Sequence, residues 1–269
     1  MKKQILNSVI GIITIVCVLT ACKKDKDPIT PASESCVLKY IKDNDTGDST
    51  AIIYDNQNRV IKLQIFDSKG VEIRYQTYTY GTNDITFNQF NKLTNEASNT
   101  IIYHLNSIRL VEYISIYRDY NGGVNKYYDT IAFTYNPAGY KTQRIYTFTS
   151  IESGNVNSTS DTTWYTYSGG NLISEKLINS YGETIITTNS YYSTLIDKQN
   201  ILSNPLLIPG IFGKGNLNLI ASANNDSNPD VQLYNYEMND NGYIKRFTGT
   251  YPTDSGTESF DNGLFYKCQ

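Results

Sequence analysis

Phe133-Thr134-Tyr135-Asn136-Pro137-Ala138-Gly139-Tyr140-Lys141-Thr142-Gln143-Arg144 reads as strand, tight turn, strand. Ile131, Phe133 and Tyr135 alternate with Ala132 and Thr134, which is the two-residue period of a half-buried strand. Asn136-Pro137 opens a type I turn, because the proline ring presets the backbone angle required at its second position. Gly139 supplies the left-handed conformation that returns the chain to the partner strand.

The same punctuation recurs outward in both directions. Strand-like segments at 60–66, 74–80, 100–105, 110–117, 130–135, 144–148, 163–167, 172–178, 231–238 and 244–251 are separated by Asn/Asp/Gly clusters. Asp67-Ser68-Lys69-Gly70, Ser168-Gly169-Gly170-Asn171 and Asn239-Asp240-Asn241-Gly242 are three of them. Short strands at this spacing indicate antiparallel hairpins joined in a meander. Composition agrees: 24 tyrosines stand against one tryptophan and one histidine, and tyrosine favours strands. The expected fold is therefore a single all-β domain over 36–269. We expect a strongly curled sheet or open barrel, since many flat strands would leave long aggregating edges.

Residues 1–21 have the order of a lipoprotein signal peptide. Met1-Lys2-Lys3 is a positive start, and Val9 to Leu19 is an apolar run too short to span a bilayer as a permanent helix. The run ends in Leu19-Thr20-Ala21-Cys22, which resembles the lipobox of bacterial lipoproteins, with Cys22 as the lipidated residue and a palmitate among its acyl chains. Residues 22–35 then form a charged, Pro- and Ser-rich tether. Lys23 after the cysteine implies, by that resemblance, the outer membrane, with the domain on its periplasmic or cell-surface side. Loss of Lys2 and Lys3 moves the formal charge from −3 to −5, and no basic patch stands out, which argues against a nucleic-acid partner.

Tyr54-Asp55-Asn56-Gln57-Asn58-Arg59-Val60 resembles the YD repeat, Tyr-Asp-x-x-Gly-Arg followed by an aliphatic residue, with Asn58 in the glycine position. Tyr135 to Tyr140 and Tyr236 to Ile244 are looser copies, and Tyr167 to Ile173 is looser still. With the lipobox, the chain is similar to Bacteroidetes lipoproteins that carry YD-like hairpins, a class that implies architecture rather than reaction chemistry. Leu195 to Ala221 departs from the pattern. We expect a short helix near 194–202 and then an irregular apolar loop, because Pro205, Pro209 and Gly210 exclude a regular strand. The loop is read as a plug in the open end of the sheet, or else as a ligand-site lid or a membrane-contacting loop.

Chemical motifs are sparse. Cys17 leaves with the signal peptide, so Cys36 and Cys268 remain, one at each end of the domain, and are expected to form a disulfide. Asp43-Asn44-Asp45-Thr46-Gly47-Asp48 alternates oxygen ligands around a glycine, yet Tyr54 stands where an EF-hand needs its bidentate glutamate, so a turn is the better reading. The same holds for Asn224 to Asp230; we expect no metal site and no cofactor. His104 is the chain's only histidine, which excludes multi-histidine zinc sites, and no Gly-x-Ser-x-Gly elbow is present. Glu72, Glu112, Glu152, Glu175 and Glu183 offer carboxylates with nothing to single out a catalytic pair.

Tyr54, Tyr135, Tyr167 and Tyr236 occupy the repeat's own scaffold position. Trp164, Tyr127, Tyr128, Tyr191 and Tyr192 lie outside the turn consensus and are the candidate ligand-binding aromatics. Lys62, Lys141 and Lys176 are expected to be accessible to an aqueous amine reagent. The expected role is non-catalytic binding or scaffolding by a monomeric, membrane-anchored envelope lipoprotein, with a glycan or an envelope protein as partner. Its alternatives are glycan or peptide capture through exposed aromatics and, further off, an envelope hydrolase.

Overall fold

Six turns of the chain share one construction. Asp55, Asp67, Asn106, Asn136, Asn179 and Asn239 each open a turn in which a side-chain oxygen accepts the N–H four residues later. The residue three places on takes a positive φ: Asn58, Gly70, Arg109, Gly139, Gly182 and Gly242. An Asx side chain that closes its own turn and a residue that tolerates the left-handed region are what fix these hairpins. In the Asn136 copy, Gly139 donates its N–H to the Asn136 carbonyl at 2.9 Å and has φ of 85°.

The computed structural model describes residues 36–120, 125–198, 211–253 and 256–268. Sixteen strands occupy them. The first eight are β1 (Cys36–Asp43), β2 (Ser49–Tyr54), β3 (Val60–Phe66), β4 (Glu72–Tyr80), β5 (Asp84–Asn91), β6 (Ala97–Leu105), β7 (Val111–Tyr120) and β8 (Asn125–Tyr135). Then come β9 (Lys141–Glu152), β10 (Asn155–Ser168), β11 (Asn171–Ile178), β12 (Thr184–Ile196), β13 (Asn218–Asn225), β14 (Asn228–Met238), β15 (Ile244–Thr253) and β16 (Gly256–Cys268). Each pairs antiparallel with its neighbours in sequence, and β1 pairs with β16, so the meander closes into a barrel. The ten strand segments read from the sequence fall on strands, with Leu110 alone lying one place before the start of β7. The curled sheet is closed rather than open, because Cys36 lies opposite Cys268 and the register runs on to Asp43 opposite Asn262. The expected disulfide joins that pair across a sequence separation of 232.

A helix near 194–202 is not formed over its described part. β12 runs to Ile196, its β-branched and aromatic run Ile185 to Tyr192 holding it in the sheet. The remainder of that expected helix, at 199–202, lies outside the described residues, as do 203–210 of the apolar loop.

The lumen is identified by its contents. Leu38, Val60, Tyr103, Val111, Leu219, Ile244 and Leu264 come from distant strands yet form one buried cluster. Ile211 belongs to it, and Phe212 sets its ring edge-on to Tyr103 and Phe133. Backbone bonds fix this segment across the barrel mouth: Ile211 accepts from Val111, Lys214 donates to Gly139 and Leu217 donates to Gly170. The described part of the apolar loop is thus a plug. It seals the end at which the turns after Asp55, Asn106, Asn136 and Asn239 lie, together with Cys36 and Cys268.

At that sealed end the strands carry β-bulges beside their first residues, which displace the ladder by one place. Beside four of them a tyrosine on the next strand donates its hydroxyl to the carbonyl preceding the bulge. The pairs are Tyr54 to Leu38, Tyr80 to Val60, Tyr135 to Val111 and Tyr191 to Leu172, at 2.6–2.8 Å. A buried carbonyl without a partner is costly, and these hydroxyls supply one where the ladder is interrupted. Burial accordingly pushes the Tyr54 and Tyr80 hydroxyls up to about 12.

Candidate functional site

Five residues after the Asx residue of each sealed-end turn, the chain places the residue that enters the core. Val60, Val111 and Ile244 fill this position and are almost wholly enclosed. In the Asn136 copy the residue is Lys141. A bulge at Thr142, between the pairs Thr134–Gln143 and Tyr135–Lys141, turns both Lys141 and Arg144 into the lumen. Lys141 is therefore not the freely accessible amine the sequence suggested. Its Nζ lies 4.2 Å from the centre of the Tyr165 ring and 5.7 Å from that of Phe133.

The neighbouring strands continue the row. Tyr165 of β10 stands directly opposite Glu175 of β11, and Thr163 stands opposite both Arg144 on β9 and Leu177 on β11. Lys141, Tyr165 and Glu175 thus lie side by side over three strands, with Arg144 one step further along the lumen. Burial pulls the Lys141 ammonium down, with Glu175 opposing that pull and Arg144 adding to it. Burial pushes the Glu175 carboxyl up, against the two cations. Tyr165 and Tyr191 are pushed up by burial and also by the charge of Glu175, which Arg144 opposes at Tyr165. Burial likewise raises Tyr167, to about 12. The three charged side chains share one field, yet no ion pair closes between them, and the Arg144 Nε is buried without a hydrogen-bond partner. Half-buried charges left in that state are a cost to folding.

Beyond Arg144 the lumen changes character. Asp129, almost fully buried, receives Arg118 at 2.6 Å and the Tyr146 hydroxyl at 2.9 Å. This group is internally satisfied. On the sealed end's outer side, a cleft of about 590 Å³ runs between Ile108, Tyr140 and Lys214. Tyr140 packs on Tyr167 with ring centres 4.8 Å apart, so one wall of the cleft backs onto the charged row.

The five aromatics singled out from the sequence do not converge. Trp164 and Tyr128 are on the outer wall, 40% and 38% exposed, with Tyr128 packed on Tyr117 at 5.1 Å. Tyr127 turns into the lumen, stacks on Phe148 and donates to Glu152. Tyr191 and Tyr192 commit their hydroxyls to the backbone carbonyls of Leu172 and Tyr234. Among the glutamates, Glu72 is held on the outer wall by Lys92 and Lys62, Glu183 is held in its turn by Asn179, and Glu175 lies in the charged row. His104 lies with its Nε2 3.0 Å from Ser115 Oγ and its ring stacked on Tyr113. Asp84, opposite His104 in register, folds its carboxylate over Gly81 instead, so the row lacks the orienting contact of a serine triad. Asp43 gives one carboxylate oxygen to the N–H groups of Asp45 and Thr46, closing its own turn.

Two solved structures share this barrel. A porin-like protein from Bacteroides uniformis aligns with 90% of this chain and 99% of its own at a TM-score of 0.56 and 13% identity. A porin-like protein from Bacteroides vulgatus aligns with 86% and 98% at 0.55 and 12%. The likeness is one of fold. No protein-family model matches the sequence, and no curated protein matches it.

Proposed function

We propose that the chain is a lipid-anchored protein of the outer membrane whose closed barrel has a non-catalytic role, holding a small ligand in its lumen. The observation that carries this reading is the Lys141–Tyr165–Glu175 row with Arg144, a set of half-buried charges left unpaired beside the apolar core. A scaffold alone has no use for them.

The lipobox at Cys22 supports the anchor, and the tether joins the barrel at Cys36, on the sealed end. The outer wall supports a barrel that stands in water rather than spanning the bilayer. A spanning barrel needs an outward apolar band about 25 Å tall. Here the wall carries Arg246 paired with Glu237 and Asp261, Lys62 and Lys92 around Glu72, and hydroxyl pairs such as Thr147–Ser160. Fractionation of cells tests the reading: the native chain should sediment with outer membranes and incorporate labelled palmitate, and Cys22→Ala should do neither. A soluble native chain would overturn it. An impermeant amine reagent then reports the face through Lys62 and Lys176.

A second reading rests on the outer wall, where Tyr113, Tyr117, Tyr128 and Trp164 stay exposed. Such faces suit sugar rings. Trp164 is the chain's single tryptophan, so a change in its fluorescence on adding an oligosaccharide would favour glycan capture there, and an unmoved spectrum would remove it.

A further inference from the structure

We infer that the lumen row is a binding site for a small organic carboxylate, held by Lys141 and Arg144, whose body carries a hydroxyl or amine for Glu175. The inference rests on the ligand-holding reading above and gives that ligand its chemistry.

The repeat provides an internal control. Four turns of one construction deliver a residue to the same place in the seal, and three deliver Val60, Val111 and Ile244. A branched aliphatic residue is therefore what the fold wants at that position. Lys141 breaks the rule at one of the four, and it does so without recruiting a counter-ion: Glu175 is across Tyr165 from it and no ion pair forms. A structural lysine in such a place would be bonded to a carboxylate, as Arg118 is to Asp129. Instead its ammonium rests on the faces of Tyr165 and Phe133, which hold a cation in position while leaving its N–H groups to donate elsewhere.

Arg144 makes the same point. Its planar guanidinium presents five donors, and the buried Nε has no acceptor. A carboxylate accepts from two nitrogens of a guanidinium at once and from an ammonium beside it, which would satisfy both residues together. The opposite end of the row is acidic: Glu175 accepts, and an ionised carboxylate there calls for a donor. Tyr165 stands between Lys141 and Glu175 and turns its ring to the ammonium, and the Glu175 charge is felt at Tyr167 and Tyr191 on either side. Carboxylate at one end, donor at the other and an aromatic wall between them describe an acidic sugar or an amino acid. The raised Glu175 carboxyl and the lowered Lys141 ammonium fit groups that burial has not matched with each other.

The test is calorimetric titration of the mature full-length chain in detergent. Glucuronate is titrated beside glucose, and phenylalanine beside phenethylamine, so each acid has a partner without its carboxylate. Saturable binding of one acid and not of its partner is expected, and which acid binds separates sugar from amino acid. Lys141→Leu restores the residue type of the other three copies. It should weaken that binding roughly thirtyfold or more, while raising Tm by about 2–4 °C. Arg144→Gln should weaken binding comparably in a chain that keeps the lysine. No saturable heat from either acid, equal binding of the carboxylate-free partners, or native affinity in either variant would overturn the inference. So would a lower Tm for Lys141→Leu, which would make the lysine structural. Outer-membrane fractionation with palmitate labelling in a chain that fails these titrations would leave the anchor in place and remove the ligand.

Discussion

The two ends of the barrel are built from the same hairpin, yet they hold the chain together in different ways. At the sealed end the residue five places after the Asx turn is the enclosed Val60, Val111 or Ile244 in three copies and Lys141 in the fourth, whereas at the other end it is Glu72 or Thr184. β10 shows the contrast within one strand: Asn155 to Ser160 are all exposed, and Thr163 and Tyr165 further on are buried. The turn sets the hairpin, and the residue delivered by the turn decides whether that end becomes a core. Apolar burial, tyrosine-capped carbonyls and a disulfide secure one end. Charge-assisted hydrogen bonds such as Arg118–Asp129 do more of the work toward the other.

If this contrast is right, mutations should sort by end. The largest effect is expected from Cys36→Ser with Cys268→Ser, because the bridge closes a loop of 232 residues at the sealed end. Roughly 5 kcal/mol should be lost in the chain-entropy account, read as a lower urea midpoint that matches native protein under reductant. Next comes Leu219→Ala, at about 3 kcal/mol, since Leu219 is 1% exposed in the cluster. Val156→Ala, on the exposed part of β10, should stay within about 0.5 kcal/mol, and equal costs at the two sites would erase the distinction. Asp129→Ala leaves Arg118 without its partner, and because that arginine is partly exposed the cost should be about 2 kcal/mol rather than that of a fully buried pair. Tyr135→Phe removes the cap on the Val111 carbonyl and should cost about 1–2 kcal/mol by the same denaturation measurement.

The smallest effect concerns acid. Hydrogen bonds from Arg246 and Asn44 hold the Asp261 carboxyl down at about 2 in the folded chain. A folded pKa below the unfolded value contributes stability at pH above about 4 and loses it as pH falls toward 2. Asp261→Asn should therefore flatten the fall in Tm between pH 4 and pH 2 and change little at pH 7. A steep fall that survives the substitution would assign the acid sensitivity elsewhere.

The hairpins were legible because their causes are local. Asx and Gly or Asn at a spacing of three announce five of these turns, the Asn106 copy carrying Arg109 instead, and alternation such as that from Ile131 to Tyr135 announces the strands. Cys36 and Cys268, bracketing the domain, offered a disulfide on the condition that first and last strands are neighbours. Closure itself was not legible, because it depends on the register of β1 on β16, which no local pattern encodes. The facing of individual side chains was lost for a related reason. Bulges shift the two-residue period, so counting along the chain does not say that Lys141 turns inward or that the five candidate aromatics divide between wall and lumen. One signal for Lys141 was nonetheless present. Aligning the turns that open at Asp55, Asn106, Asn136 and Asn239 sets it beside Val60, Val111 and Ile244.

Pairing of β1 with β16 makes the strand order a ring without a privileged starting point. Because Cys36 and Cys268 are already cross-strand neighbours, a short linker could join them and new termini could be opened in an exposed hairpin. The Ser153-Gly154 turn between β9 and β10 is such a place. Such a circularly permuted barrel would keep every rung of the ladder except those at the cut, and its first strand would start from the mouth opposite the plug.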